Sequence, residues 1–148
     1  MTGNVVHNMR IMAIDYGDAR TGVAVSDATA TITGEAWVVH SKNKKETAKR
    51  ITDEAVKRGV SQIIVGYPKN MDGTIGPRAE KSGHFAEMLR SLNDIEVTLW
   101  DERLTTKSAE HILTNTGKFG KKRKKTIDAV AASLILESYL AYKNNEPQ

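Results

Sequence analysis

Apolar residues fall in consecutive runs at Ile11-Met12-Ala13-Ile14 and Ile63-Ile64-Val65. A strand that is apolar at every position must be covered on both faces, so these runs predict buried strands, the first of them central in its sheet. Residues 10–15 form that strand, Tyr16-Gly17-Asp18-Ala19-Arg20 a turn, and Thr21 to Asp27 a second strand. So short a turn requires antiparallel pairing. Glu35 to His40 makes a third strand after a threonine-rich connection. The spacing then becomes helical: Ala48, Ile51, Ala55 and Val56 recur across Lys44 to Arg58, and Gly59 supplies the stop. Gln62 to Gly66 is a short buried strand, followed by a loop over 67–76. A helix begins at Pro77, a residue suited to the first helical position, and continues through Ala79, Ala86, Leu89 and Leu92. Glu96 to Asp101 is the fifth strand, Thr105 to Thr116 a helix closed by Gly117, and Thr126 to Tyr142 the last helix.

The order β-β-β-α-β-α-β-α-α implies an α/β fold. Three antiparallel strands come first, then strands joined by helices, which require parallel crossovers. The expected architecture is a mixed five-stranded sheet flanked by helices on both faces. Residues 1–8 read as a disordered extension, with Met9 as an alternative start. Residues 9–148 read as a single domain, large enough to bury most of its apolar surface without staples.

Composition narrows the chemistry. The 148 residues include no cysteine, which removes disulfides, thiolate zinc sites and cysteine nucleophiles, and fits a reducing cytoplasm. The first eight residues lack the basic and apolar regions of a signal peptide. The longest strongly apolar block, Ala129 to Leu136, is far short of the roughly 20 residues a membrane span needs, so it reads as a core helix with no membrane partner. Net charge is +4, with a pI near 9.3. Six of the 22 basic residues lie between Lys118 and Lys125. Such a run is either a solvated loop or a contact for a nucleic-acid backbone, and its place directly before Asp128 favours the contact.

Three acidic positions sit at the ends of apolar elements: Asp15 after the first run, Asp101-Glu102 after Val97-Thr98-Leu99-Trp100, and Asp128 before Ala129 to Leu136. An ionised carboxylate leaving water needs compensation. Singly, each has an ordinary reading. Asp15 could shape a turn, Asp101 and Glu102 could pair with Arg103, and Asp128 could cap a helix. Together they suit convergence around a divalent cation at one edge of an open α/β sheet. Oxygen donors without cysteine or paired histidines favour Mg2+ or Mn2+ over zinc. Two such ions about 4 Å apart would activate water, bind a scissile phosphate and stabilise the leaving oxygen.

The loop from Gly66 to Arg78 is elaborate for a small domain, and its glycines allow close backbone approach. It reads either as a phosphate-contact loop, with Lys69, Asn70 and Arg78 as candidates, or as a rigid turn. The histidines at 7, 40, 84 and 111 show no ligand spacing.

Four segments resemble the motifs of the YqgF/RuvX family of pre-16S rRNA nucleases and Holliday junction resolvases. They are Asp15-Tyr16-Gly17 with Arg20 to Asp27, Gly66 to Thr74, Asp101 to Thr106, and Lys124 to Ala132. The resemblance spans residues 10 to 142 in order. It implies an RNase H-like fold and a metal-dependent nuclease acting at the 5′ end of immature 16S rRNA. It assigns the catalytic carboxylates to Asp15, Glu102 and Asp128, with Asp101 as the alternative metal ligand to Glu102, since adjacent strand residues face opposite ways. Candidate nucleic-acid contacts are Arg20, Lys69, Asn70, Arg78, Arg103, Lys121, Lys122, Lys124 and Lys125. The sequence departs from the family at Asp18, at Tyr67 where leucine is common, and in residues 1–8. An acid at 18 would raise the Asp15 carboxyl pKa in the absence of metal.

The same three carboxylates would serve pre-16S rRNA or branched DNA, cut by a monomer or a homodimer. A non-catalytic RNA-binding factor in ribosome assembly or transcription is the other reading. It is disfavoured because a pure binder gains nothing from carboxylates facing a polyanion.

Overall fold

The computed structural model describes residues 9–101 and 120–144. Strand β1 (Ile11–Asp15) is buried at Ile11, Met12, Ala13 and Ile14, as a central strand covered on both faces must be. It pairs antiparallel with β2 (Arg20–Ser26) and parallel with β4 (Gln62–Tyr67). Strand β3 (Thr33–His40) extends the sheet antiparallel to β2, and β5 (Glu96–Asp101) extends it parallel to β4. The strand order is β3-β2-β1-β4-β5. The mixed sheet expected from the sequence is the sheet observed, with β1 in the middle.

Helices α1 (Lys44–Lys57) and α2 (Pro77–Leu92) cover one face, packing Ala48, Ile51, Phe85 and Leu89 on Met12, Ile14, Val23 and Val65. Helix α3 (Gly120–Asn144) covers the other, where Ala132, Ile135, Leu136 and Leu140 meet Ile11, Ala13, Ala24 and Ile64. Ala13 and Ala24 oppose each other directly across β1 and β2. Two small side chains at that point let the helix approach the sheet closely. Burying a side chain such as Ile135 or Leu136 there contributes about 1.5–3 kcal/mol.

Local signals account for the helix ends. Asn43 caps α1, its side-chain oxygen accepting from Glu46 N–H at 3.0 Å. At the other end Gly59 has φ of 69°, Val60 N–H donates to Ala55 C=O and Gly59 N–H to Val56 C=O, the paired bonds of a Schellman stop. Helix α2 opens with Pro77 at its first position, behind Gly76.

Two expectations are corrected. Val56 is 62% exposed, and Thr47 and Thr52 are buried in its place. At 100° per residue Val56 lies well off the line through Ala48, Thr52 and Ala55, so it falls beside the buried stripe. The last helix begins at Gly120 rather than Thr126. Lys and Arg are good helix formers and no proline intervenes, so the basic run extends the helix instead of preceding it as a loop. Asp128 is therefore not in the first turn. The helix expected over 105–116 lies outside the described residues, among which no helix is long and apolar enough to cross a membrane.

The β2–β3 connection is organised by Asp27. Its Oδ1 accepts from Thr31 N–H at 2.8 Å and Ile32 N–H at 3.1 Å, and Oδ2 accepts from the Thr29 hydroxyl. This holds Ala30 in the left-handed region at φ 57°, with its methyl in the α3-side core. The Thr29 bond first, then the backbone donors, lower the Asp27 pKa from 3.8 to about 2. Because the folded value is depressed, the charged form stabilises the fold above the unfolded pKa, and this is lost as pH falls through about 2. Asp27→Asn should therefore lower the urea midpoint at pH 7, and its deficit against wild type should shrink between pH 4 and pH 2. A deficit constant with pH would show that the charge is irrelevant.

Candidate active site at the sheet edge

Strands β1, β4 and β5 are parallel, so their C-terminal ends share one edge of the sheet. Asp15 is the last residue of β1, opposite Gly22 of β2. Asp101 is the last residue of β5, opposite Tyr67. Two strand spacings separate β1 from β5, roughly 10 Å. The two acids share the edge but not the face. Ile11 and Ala13 belong to the α3-side core, and Tyr16 stacks on Phe85 of α2, ring centroids 4.4 Å apart, so alternation puts Asp15 on the α3 face. Val97 and Leu99 belong to the α1/α2-side core, and Tyr67 approaches Gly83 of α2, which puts Asp101 on the α2 face. Glu102 and Arg103 lie outside the described residues.

Helix α3 runs toward this edge with its N-terminal half. Asn144 donates to Ala30 C=O at 3.3 Å, and the Tyr139 hydroxyl to Gln62 Oε1 at 3.1 Å. Both contacts lie at the edge opposite Asp15, since Gln62 pairs with Ile11. From Tyr139 back to position 128 the helix rises about 16 Å, comparable with the ~13 Å of strand from Ile11 to Asp15. Position 128 is one turn before Ala132, whose side chain is buried against the sheet. With the helix starting at Gly120, Asp128 is too far in to cap it or to gain from the dipole of the first turn. Lys121, Lys122, Lys124 and Lys125 belong to the opening turns of the same helix.

The β1–β2 turn beside Asp15 is tightly built. The Thr21 hydroxyl, on a fully buried residue, donates to Gly17 C=O at 3.2 Å and accepts from Gly17 N–H at 3.3 Å. A Cβ on Gly17 would stand 2.2 Å from Arg20 C=O, so only glycine fits. Arg20 itself opens β2 at this edge, exposed. Across the edge, the 67–76 loop is braced from within. Asn70 Nδ2 donates to Thr74 Oγ1 at 2.9 Å, Asp72 Oδ1 accepts from Thr74 N–H and Oγ1–H, and Gly73 turns the chain at φ 89°. Asn70 thus shapes the loop. Lys69 Nζ lies 5.9 Å from the centre of the Tyr67 ring.

Sequence reasoning missed Lys81. It follows Arg78 by one helical turn, a spacing that signals two cations on one side of α2. Its Nζ pairs with Asp18 Oδ2 at 2.8 Å, so the acid expected to disturb Asp15 has a cation of its own. Hydrogen bonding and the charge of Asp18 push the Lys81 pKa up; burial, then the same charge, push the Tyr16 hydroxyl up. Tyr16, Gly17, Asp18, Arg78 and Lys81 line a cavity of about 180 Å³. Among the described residues no three His, Cys, Asp or Glu side chains are grouped to hold a metal ion. Asp15 offers hard oxygen donors at the edge, the chemistry Mg2+ and Mn2+ prefer.

A mixed five-stranded sheet of this order, with helices on both faces, is the RNase H-like fold. Thermus thermophilus RuvC bound to a Holliday junction substrate superposes with a TM-score of 0.62 at 16% identity, over 95% of this chain and 99% of that one. The fowlpox virus Holliday junction resolvase gives 0.56 at 15%, over 90% and 99%. The family model for RuvX, described as Holliday junction resolvase, matches residues 9–142, and the chain belongs to that family of nucleases. A Halothermothrix orenii protein named "Putative pre-16S rRNA nuclease" is 48% identical over 92% of this chain and 97% of its own length. A Listeria monocytogenes protein of the same name is 44% identical over 92% and 100%.

Gly17→Ala would force the Arg20 carbonyl away and loosen the turn that positions Asp15. A loss of roughly 1–3 kcal/mol is expected from such overpacking, read from urea unfolding. An unchanged midpoint would mean that the turn relaxes freely.

Proposed function

We propose that this chain is a metal-dependent nuclease that hydrolyses phosphodiester bonds, processing the 5′ end of pre-16S rRNA in the cytoplasm. The observation that carries the reading is Asp15: a carboxylate at the end of the central, doubly buried strand, on the edge toward which α3 brings Asp128. The relatives' names support the RNA substrate.

Asp15, Glu102 and Asp128 would hold Mg2+ or Mn2+, which when bound supplies positive charge to the phosphate oxygens and lowers the pKa of a bound water. The backbone of Asp15 is set by the β1 pairing and the Gly17 turn, which fixes where its carboxylate leaves the sheet. Arg20, Lys69 and Arg78 stand around the same edge, and Arg103 and the lysines from Lys121 to Lys125 adjoin it in sequence. Their charge would hold the backbone of the substrate strand.

Asp15→Asn should abolish cleavage of a pre-16S 5′-flank RNA in Mg2+ while leaving the unfolding midpoint nearly unchanged and RNA affinity equal or higher. Wild-type turnover by a folded, nuclease-free Asp15→Asn protein would sink the reading. Cleavage of a four-way DNA junction in preference to the RNA would move the substrate to branched DNA and leave the site intact.

Asp101 lies on the face away from Asp15, so Glu102→Gln should cost far more activity than Asp101→Asn when both are assayed at saturating Mg2+. The reverse ranking would make Asp101 the metal ligand.

A further inference from the structure

The cavity between the β1–β2 turn and the start of α2 is not used by the carboxylate site. It opens one residue past Asp15, on the other face of the sheet edge: Tyr16, stacked on Phe85, forms a rigid wall, and Arg78 and Lys81 bring two cations. Asp18 is the one acid among the lining residues. Its bond to Lys81 joins side chains that are 67% and 50% exposed. Exposed pairs of this kind contribute little and are readily exchanged for another anion. A phosphodiester carries the same unit charge as the carboxylate, and it can in addition accept paired hydrogen bonds from Arg78.

We propose that this cavity is a phosphate subsite for the substrate strand, and that Asp18 is its resident counter-ion, holding Lys81 until a backbone phosphate displaces it. The proposal rests on the nucleic-acid reading of the site and deepens it. A strand with one phosphate at Asp15 and a neighbouring phosphate in the cavity must cross the sheet edge from the α3 face to the α2 face. The β1–β2 turn, pinned by Gly17 and Thr21, is the ridge it crosses. In the free protein Asp18 occupies the lysine at 2.8 Å, so a phosphate must compete with the carboxylate for it.

The test is a double-mutant cycle on binding, with no cleavage step. A short fluorescein-labelled oligouridine is titrated in EDTA at three salt concentrations against wild type, Asp18→Asn, Lys81→Gln and the double variant. Asp18→Asn should tighten binding several-fold, because Lys81 no longer has to leave a partner. Lys81→Gln should weaken binding and flatten the salt dependence by roughly 0.7 in log–log slope, the loss of one single-strand phosphate contact. In the Lys81→Gln background, Asp18→Asn should change affinity by less than about twofold, since coupling between contacting residues disappears with either partner. Equal tightening in both backgrounds would overturn the proposal, because Asp18 would then act only by general repulsion of a polyanion. No change from either single variant would also overturn it and leave an ordinary solvated ion pair. Failure of wild type to bind the RNA would overturn this inference, while the nuclease reading stands or falls separately on cleavage in Mg2+. Intact coupling in a protein that cuts nothing would overturn only the catalytic reading.

Discussion

Burial of β1 on both faces is the constraint from which the site follows. Four consecutive side chains leave no solvent-facing position in the strand, so helices must cover both sides of the sheet and the chain can meet water only where the strand ends. Asp15 is that end. Its pairing with β2 on one side and the level of Gly66 on the other are fixed by registers that cannot slip by one residue without turning Ile11 and Ala13 into the wrong core. A carboxylate placed this way is held by the whole sheet.

The two-residue period of the strands then sorts the remaining acids. Position 15 shares the α3 face with Ile11 and Ala13, and position 101 shares the α2 face with Val97 and Leu99. The two acids therefore leave the edge on opposite faces of the sheet, which is why the proposed site pairs Asp15 with Glu102 rather than Asp101. Helix α3 faces the same side. Its C-terminal half is tied to the far edge through Tyr139 and Asn144, so its N-terminal half, with Asp128 and the basic run, is directed at the carboxylate end.

Where local rules dominate, the chain was readable. Consecutive apolar residues identified β1 as central, Gly59 ended α1 through a Schellman turn, and Pro77 opened α2. Charge misled at the last helix, because a lysine run is solvated in a loop and in a helix alike, and composition does not tell the two apart. The Asp18–Lys81 bond joins residues far apart in sequence, and only the fold brings the β1–β2 turn over α2. Asn70 was legible as a candidate phosphate contact in the loop, but its brace to Thr74 depends on the turn at Gly73, which no pairwise spacing displays. Asp15 and Asp101 were singled out by their places at strand ends; which face each takes required the registers.

The proposed function requires a divalent cation at the carboxyl edge of β1, held by groups from the α3 side. Mn2+ added in small amounts to isotope-labelled protein tests it most directly, because the ion broadens backbone amide signals according to distance. Selective loss of the amides at 15–17, 66–67 and 128, with those of 28–33 at the opposite edge preserved, is the predicted result. Broadening centred on residues 28–33, or spread evenly over the surface with no preference for Asp15, would contradict the account.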